Sequence, residues 1–323
     1  MFRSSLPAVA PVLLFVAGPC PGQDLNALRQ QLRDDLSQAH FAKSLTGLVL
    51  LSDELEIGGA HYRIDDAFDT RLSAVALPFH TTLTPWGDNA QNLYLEGVLG
   101  YARASQRSAD IYSGTIPALA TSVDTDWSTY GGLLGIGSAF EIGEGLTFAP
   151  IAHLGAARIE NDTDFGGPGG TVTAALADGI AFNWDAVVAI GGGAGRVDWI
   201  RPLGDYELTL VGRYDLRWTG TIREDDPAQD FSTRSQLATV RGDIGGPSGM
   251  TMFGRALSWG ATASYRRFFG GDLYGVEDIV QLGASFEIDM GEEMPVGHGL
   301  SWSASAFVGE DLTGWAIGFG VTF

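Results

Sequence analysis

Cysteine is nearly absent from this chain: one residue in 323, Cys20. It lies in an N-terminal stretch that is expected to be removed, so the mature chain is expected to hold no thiol. A disulfide framework and thiolate or redox-cysteine chemistry are thereby excluded. Positive charge is also scarce, with Lys+Arg 19 against Asp+Glu 39 and a formal charge of −20. That balance argues against nucleic acid or other phosphate-rich partners, whose charge needs cations. The acidic excess is expected mainly as a solvated surface in loops. Beyond the N-terminus no apolar run reaches the ~20 residues a membrane-spanning helix needs.

Residues 1–22 read as an export signal, with Arg3 as the positive start, Leu6 to Gly18 as the short apolar stretch, and Gly18-Pro-Cys-Pro-Gly22 as the exit. Cleavage is expected after Gly22. Lipidation of Cys20 is disfavoured because Pro19 sits where a small residue is expected. Asp24 to about Phe41 reads as an amphipathic helix, with Leu25, Leu28, Leu32 and Leu36 at three- and four-residue spacing. Residues 23–46 are therefore assigned to an N-terminal helix and 47–323 to a β domain.

What the chain has in quantity is glycine, 45 residues, together with 8 tryptophans. Strands alternating small with bulky residues produce that pairing. Between 206 and 218, Tyr206, Leu208, Leu210, Tyr214, Leu216 and Trp218 share one face, and Glu207, Thr209, Arg213, Asp215 and Arg217 the other. The second face could not sit in lipid, nor the first stay bare in water. The pattern recurs at Leu93–Tyr101, Leu257–Tyr265, Val280–Ile288 and Leu300–Val308, and more weakly at Ser73–Phe79, Tyr130–Ile142, Leu146–Ala156, Trp184–Ile200 and Gln236–Ile244. The chain closes on a strand in which Trp315, Ile317, Phe319, Val321 and Phe323 alternate with Gly, Ala and Thr.

Short links at Gly143–Gly145, Pro202–Asp205 and Gly246–Gly249 alternate with long polar links at 105–126, 161–183 and 221–233, which hold Asp124, Asp126, Asp162, Asp164, Glu224, Asp225 and Asp226. Short turns on one side and long loops on the other are what an outer-membrane barrel shows, the short turns facing the periplasm. Eleven strands are clear, and since single-chain bacterial barrels have even strand numbers, a further one is expected within Leu48–Asp65. The fold class is thus all-β: a closed antiparallel transmembrane β-barrel of about twelve strands with one N-terminal helix. Trp86, Trp127, Trp184, Trp199, Trp218, Trp302 and Tyr206 near strand ends are read as interfacial girdles, with Trp259 and Trp315 deeper.

The strand count, the preceding helix, the acidic loops and the ending Gly320-Val-Thr-Phe323 together resemble an autotransporter translocator β-barrel, over residues 24–323. The resemblance implies location in the outer membrane of a Gram-negative-type bacterium, contact with outer-membrane lipid and a monomeric state. It also implies that the barrel assembly machinery reads the C-terminal strand through Phe319, Val321 and Phe323. The short stretch before residue 47 leaves no room for a passenger, so a solitary barrel is expected. In the family the preceding helix threads the pore; here Asp24–Phe41 either does so or rests on the periplasmic side.

No cofactor, metal or catalytic group is expected. His40, His61, His80, His153 and His298 show no metal-ligand spacing, and His153 reads as an inward-facing polar residue rather than a general base. There is no Gly-x-Ser-x-Gly elbow. Gly166–Gly170 and Gly191–Gly195 lack the Lys-Ser/Thr of a phosphate loop, and the acidic loops lack the pattern of a dedicated calcium loop. On the inner face Arg213, Asp215, Arg217, Arg241, Asp243, Glu96 and Glu287 form a candidate ion network, since charges in a lumen pair to offset desolvation. The readings are a structural or surface barrel with a plugged pore, a small-solute channel, and a surface hydrolase.

Overall fold

The computed structural model describes residues 25–36, 58–65, 69–83, 91–111, 120–269, 276–291 and 299–322. The signal stretch, residues 37–57, Trp86 and Phe323 lie outside these residues. Helix α1 spans Leu25–Leu36, and twelve strands follow: β1 Gly58–Ile64, β2 Thr70–Leu83, β3 Gln91–Ile111, β4 Thr121–Gly143, β5 Leu146–Gly166, β6 Trp184–Leu203, β7 Tyr206–Glu224, β8 Ser232–Met252, β9 Arg255–Phe269, β10 Asp278–Asp289, β11 Gly299–Gly309 and β12 Leu312–Thr322. A second helix, α2 Gly170–Ala177, lies between β5 and β6, and a 3-10 turn, Pro227–Gln229, between β7 and β8.

Each strand pairs antiparallel with its sequence neighbours, and β1 closes the ring on β12. The closing strand falls inside the segment where a twelfth was expected, with Gly58 opposite Gly318 and Ile64 opposite Leu312. Closure leaves no open sheet edge along this seam, which is what a wall in hydrocarbon requires.

The alternation sorts the faces as the sequence predicts. Leu154 is 73% exposed, Leu134 64% and Leu282 61%, all on the outer wall. Between them on β5, Ala149, Ile151 and His153 point inward and are buried. On β12, Trp315, Ile317, Phe319 and Val321 face outward and stay exposed.

Three expectations about the wall need correction. The turn placed at Gly246–Gly249 lies inside β8, which runs on to Met252 and turns at Phe253–Gly254. A register shift between Pro247 and Met250 absorbs the proline, which cannot donate to the ladder. The long loops are shorter than expected, because β3, β4 and β5 continue past the apolar band. There Thr121, Val123, Thr125 and Trp127 are buried inside, while Asp124 and Asp162 stay exposed on the outer face. The polar outer row reads like a loop, yet it is strand standing clear of lipid. Third, Trp127 and Trp184 are not girdle residues. Both are buried inside the wall, edge to face at 5.5 Å.

One end of the barrel carries the tight turns after β4, β6 and β8. The other carries the loops with α2 and the 3-10 turn, and the two-residue turn Glu310–Asp311. α1 docks at this long-loop end, on α2 and the 227–229 turn. For residues 25–36 this replaces both expected seats, in the pore and beside the short turns.

Candidate functional site

The inside of the barrel divides by height into two environments. Toward the long loops, apolar side chains of the inward rows meet across the lumen, with Thr125, Thr129, Thr219 and Arg266 buried among them and Arg266 opposite Ile279 in the ladder. Tyr62, Ile64, Leu72, Ile190, Ile279 and Phe307 are each at most 1% exposed and belong to one continuous core. Tyr62 and Phe307 touch with ring centroids 5.0 Å apart. Trp184 Nε1 donates to the Ala181 carbonyl at 3.1 Å, so its polar atom is satisfied.

Toward the short turns the lumen is polar, and its centre is Glu96 on β3. Arg213 reaches it from β7, Nη1 donating to Oε2 and Nη2 to Oε1, both at 2.8 Å. The same guanidinium holds Asp215 through Nε at 2.8 Å and Nη2 at 2.9 Å. Arg217 Nη2 donates to Asp215 at 3.2 Å. Tyr94 donates its hydroxyl to Glu96 at 3.0 Å, and His153 Nε2 stands 2.6 Å from Glu96 Oε1. Gly135 makes this approach possible, because a Cβ there would lie 2.7 Å from Glu96 Cγ and 2.8 Å from His153 Cδ2.

Below this cluster, Arg241 Nε donates to both oxygens of Asp243 at 2.9 and 2.8 Å, and Thr262 donates to Asp243 at 2.6 Å. Arg196 grips Asp198 through Nε and Nη2, each at 2.8 Å at its shortest. Three consecutive strands thus each carry Arg-x-Asp, and a period of two places both ends of the triplet on the inner face. Of the expected network, Glu96, Arg213, Asp215 and Arg217 form one cluster and Arg241 with Asp243 a second. Glu287 joins neither; its ladder neighbours are Ser258 and Ser301. Arg196, Asp198, Tyr94 and His153 are members that the sequence reading did not place in the network. The repeated Arg-x-Asp spacing was the available signal for the first two.

Of these side chains Tyr94, Glu96, His153, Arg196, Arg213, Arg241 and Asp243 line a cavity of about 310 Å³, with His80, Thr209 and Thr239 completing much of its polar wall. Buried charge on this scale is tolerated because the ions alternate in sign and share charge-assisted hydrogen bonds. Among the described residues no group of three or more His, Cys, Asp or Glu is arranged to hold a metal. His153 has its side chain fully buried against Glu96, and among the described residues no serine or cysteine nucleophile is bonded to it. The C-terminal strand presents Phe319 and Val321 outward, and Phe323 lies outside the described residues.

A sealed antiparallel barrel with an apolar outer wall and paired charges inside is a transmembrane β-barrel of the outer-membrane kind. No family model matches the sequence, and no curated protein matches it. Among solved structures the chain is similar to the β domain of the Bordetella autotransporter BrkA, at 15% identity and TM-score 0.48, covering 82% of this chain and 96% of that one. It is similar to the translocator domain of the autotransporter NalP from Neisseria meningitidis, at 13% identity and TM-score 0.47, covering 92% and 97%. The transport unit of the autotransporter AIDA-I from Escherichia coli matches at 12% identity and TM-score 0.46, covering 92% and 99%. The strand count and closure stand on this chain's own register.

Proposed function

We propose that the protein is a closed, monomeric outer-membrane barrel with a structural or surface role, which neither conducts solutes nor catalyses a reaction. The observation that carries this reading is the apolar core across the long-loop half of the lumen. A water-filled pore needs a continuous polar path, and side chains buried to 1% or less interrupt it there. The long loops face the outside and the short turns the periplasm. The apolar outer row of β12 fits recognition by the barrel assembly machinery, outer-membrane lipid covers the wall, and nucleic acid is no partner. Fractionation with surface labelling tests location and orientation: Asp230→Cys should react with a membrane-impermeant thiol reagent on intact cells, and Asp205→Cys only after permeabilisation. The reverse pattern would overturn the orientation.

A small-solute channel is the second reading, favoured by the polar cavity and by the small inner wall of Ser301, Ser303, Ser305, Gly283 and Ser285. Sugar-loaded liposomes containing the protein should fail to swell, and swelling would select the channel.

A further inference from the structure

The loops at the long-loop end are tied into a single surface before α1 is considered. Asp226 accepts from Ala228 N at 3.0 Å and caps the 3-10 turn, while Gln229 Oε1 accepts from the backbone of Asp225 and Asp226. The Gln229 amide then crosses to the other loop, donating to the carbonyls of Gly179 and Ile180 at 3.3 Å. This surface offers two electronegative points with an apolar slot between them. One point is the C-terminal end of α2, whose last carbonyls have no partner within the helix and carry partial negative charge. The other is the Asp226 carboxylate. The slot is formed by Ala177, Ile180, Ala181, Phe182 and Val123.

α1 matches those three features with three residues on one face. Arg29 donates through Nη1 to Ala175 O at 2.8 Å and through Nη2 to Asp178 O at 3.0 Å. Arg33 Nε reaches the two oxygens of Asp226 at 3.1 and 2.9 Å. Leu32, 4% exposed, fills the slot between them. The spacing i, i+3, i+4 places all three on one stripe. Elsewhere on the helix Leu28 is half-buried, Leu25 is 46% exposed, and Asn26, Ala27, Gln30, Gln31 and Asp34 are exposed. The ion pair is partly open to solvent, Arg33 at 30% and Asp226 at 12%, so added salt weakens it.

We propose that loops 167–183 and 225–231 form a ready-made receptor for an amphipathic helix presenting Arg-x-x-Leu-Arg, and that residues 25–36 occupy it as a displaceable cap. The recognition is helix-in-groove, with one apolar anchor and two cations setting specificity. It rests on the proposed orientation only for its compartment, which is the cell exterior.

The test uses the full-length barrel carrying Arg29→Gln, Leu32→Asn and Arg33→Gln to vacate the receptor, with a fluorescent synthetic peptide of residues 24–36. The peptide should bind the vacated barrel and not the wild type, whose site is filled. Adding Asp226→Lys should weaken binding roughly tenfold or more, the scale of one charge-assisted hydrogen bond. A peptide with the same three substitutions should not bind. No binding to a vacated barrel that keeps its folded mobility on unboiled gels would overturn the proposal, as would binding indifferent to Asp226→Lys. Should the triple variant not fold, Asp226→Lys alone decides: trypsin should then cut at Arg29 and Arg33 about tenfold faster than in the wild type, and an unchanged rate would overturn the proposal. Binding to vacated barrels on permeabilised cells but not on intact ones would overturn the orientation and leave the receptor standing.

Discussion

Within one wall, the half of the lumen toward the long loops is filled by Tyr62, Phe307, Trp127 and Trp184, and the half toward the short turns by Glu96, Arg213 and Asp215. Both halves are built on inward rows of the same strands, and both fill the interior with side chains, but by different physics. The apolar half gains free energy from every contact and tolerates the loss of one in proportion to the cavity left. The charged half holds several ions out of water and depends on each partner being present. The comparison teaches that an inner barrel wall need not be polar throughout. A largely apolar layer can fill one half of the lumen while ion pairs line a cavity in the other.

The largest predicted effect lies in the charged half. Arg213→Ala should cost about 3–5 kcal/mol in urea unfolding from detergent or lipid, because Glu96 and Asp215 are then buried without their shared cation. A triple variant, Arg213→Met with Glu96→Gln and Asp215→Asn, should recover most of that loss. A loss that persists would show that packing rather than charge pairing sets stability there. In the apolar half, Phe307→Ala should cost about 3–4 kcal/mol through the cavity beside Tyr62, with no rescue by any change of charge. On the outer wall, Leu210→Arg should cost about 2–4 kcal/mol if the side chain meets the bilayer midplane, whereas the inward Thr209→Arg should cost clearly less. Equal costs would reverse the facing assignment.

The smallest effect concerns the cap. Arg33→Gln should loosen α1 by ~1 kcal/mol or less, since the pair is partly screened. Burial alone would raise the Asp226 carboxyl, but the hydrogen bonds from Arg33 and Ala228 N outweigh it and hold it below the ordinary carboxylate range. A depressed carboxylate contributes stability above its unfolded pKa and loses it as pH falls through the folded value. The mobility of a spin label at Asn26→Cys should therefore stay constant down to about pH 5 and rise only below about pH 4.

Much of the wall was legible in the sequence because a period of two is unambiguous where one row is bulky and the other small or charged, as at 206–218. The bounds of the strands were less so. Past the apolar band the outer row turns acidic, at Asp124, Asp126, Asp162 and Asp164, and a polar row over a mixed inner one looks like loop. Trp127 and Trp184 were misplaced because a tryptophan near a strand end suits a girdle or a core equally. Parity decides it for Trp127, which shares its row with Thr125 and Thr129. On β6 Trp184 shares its row with Arg196 and Asp198, so parity points inward there too, although the residues of that row between Trp184 and Arg196 are all small or apolar. The network's partners were half visible. Arg-x-Asp triplets are local, but Glu96 meets Arg213 across 117 positions and His153 across 57, and no local pattern specifies such contacts.

Single-channel recording of the wild-type protein in planar bilayers tests the closed lumen most directly. The apolar layer predicts a quiet baseline across the voltage range, with conductance steps appearing only in variants that hollow it, such as Phe307→Ala combined with Trp127→Ala. Steady open-state steps from the wild type would contradict the account.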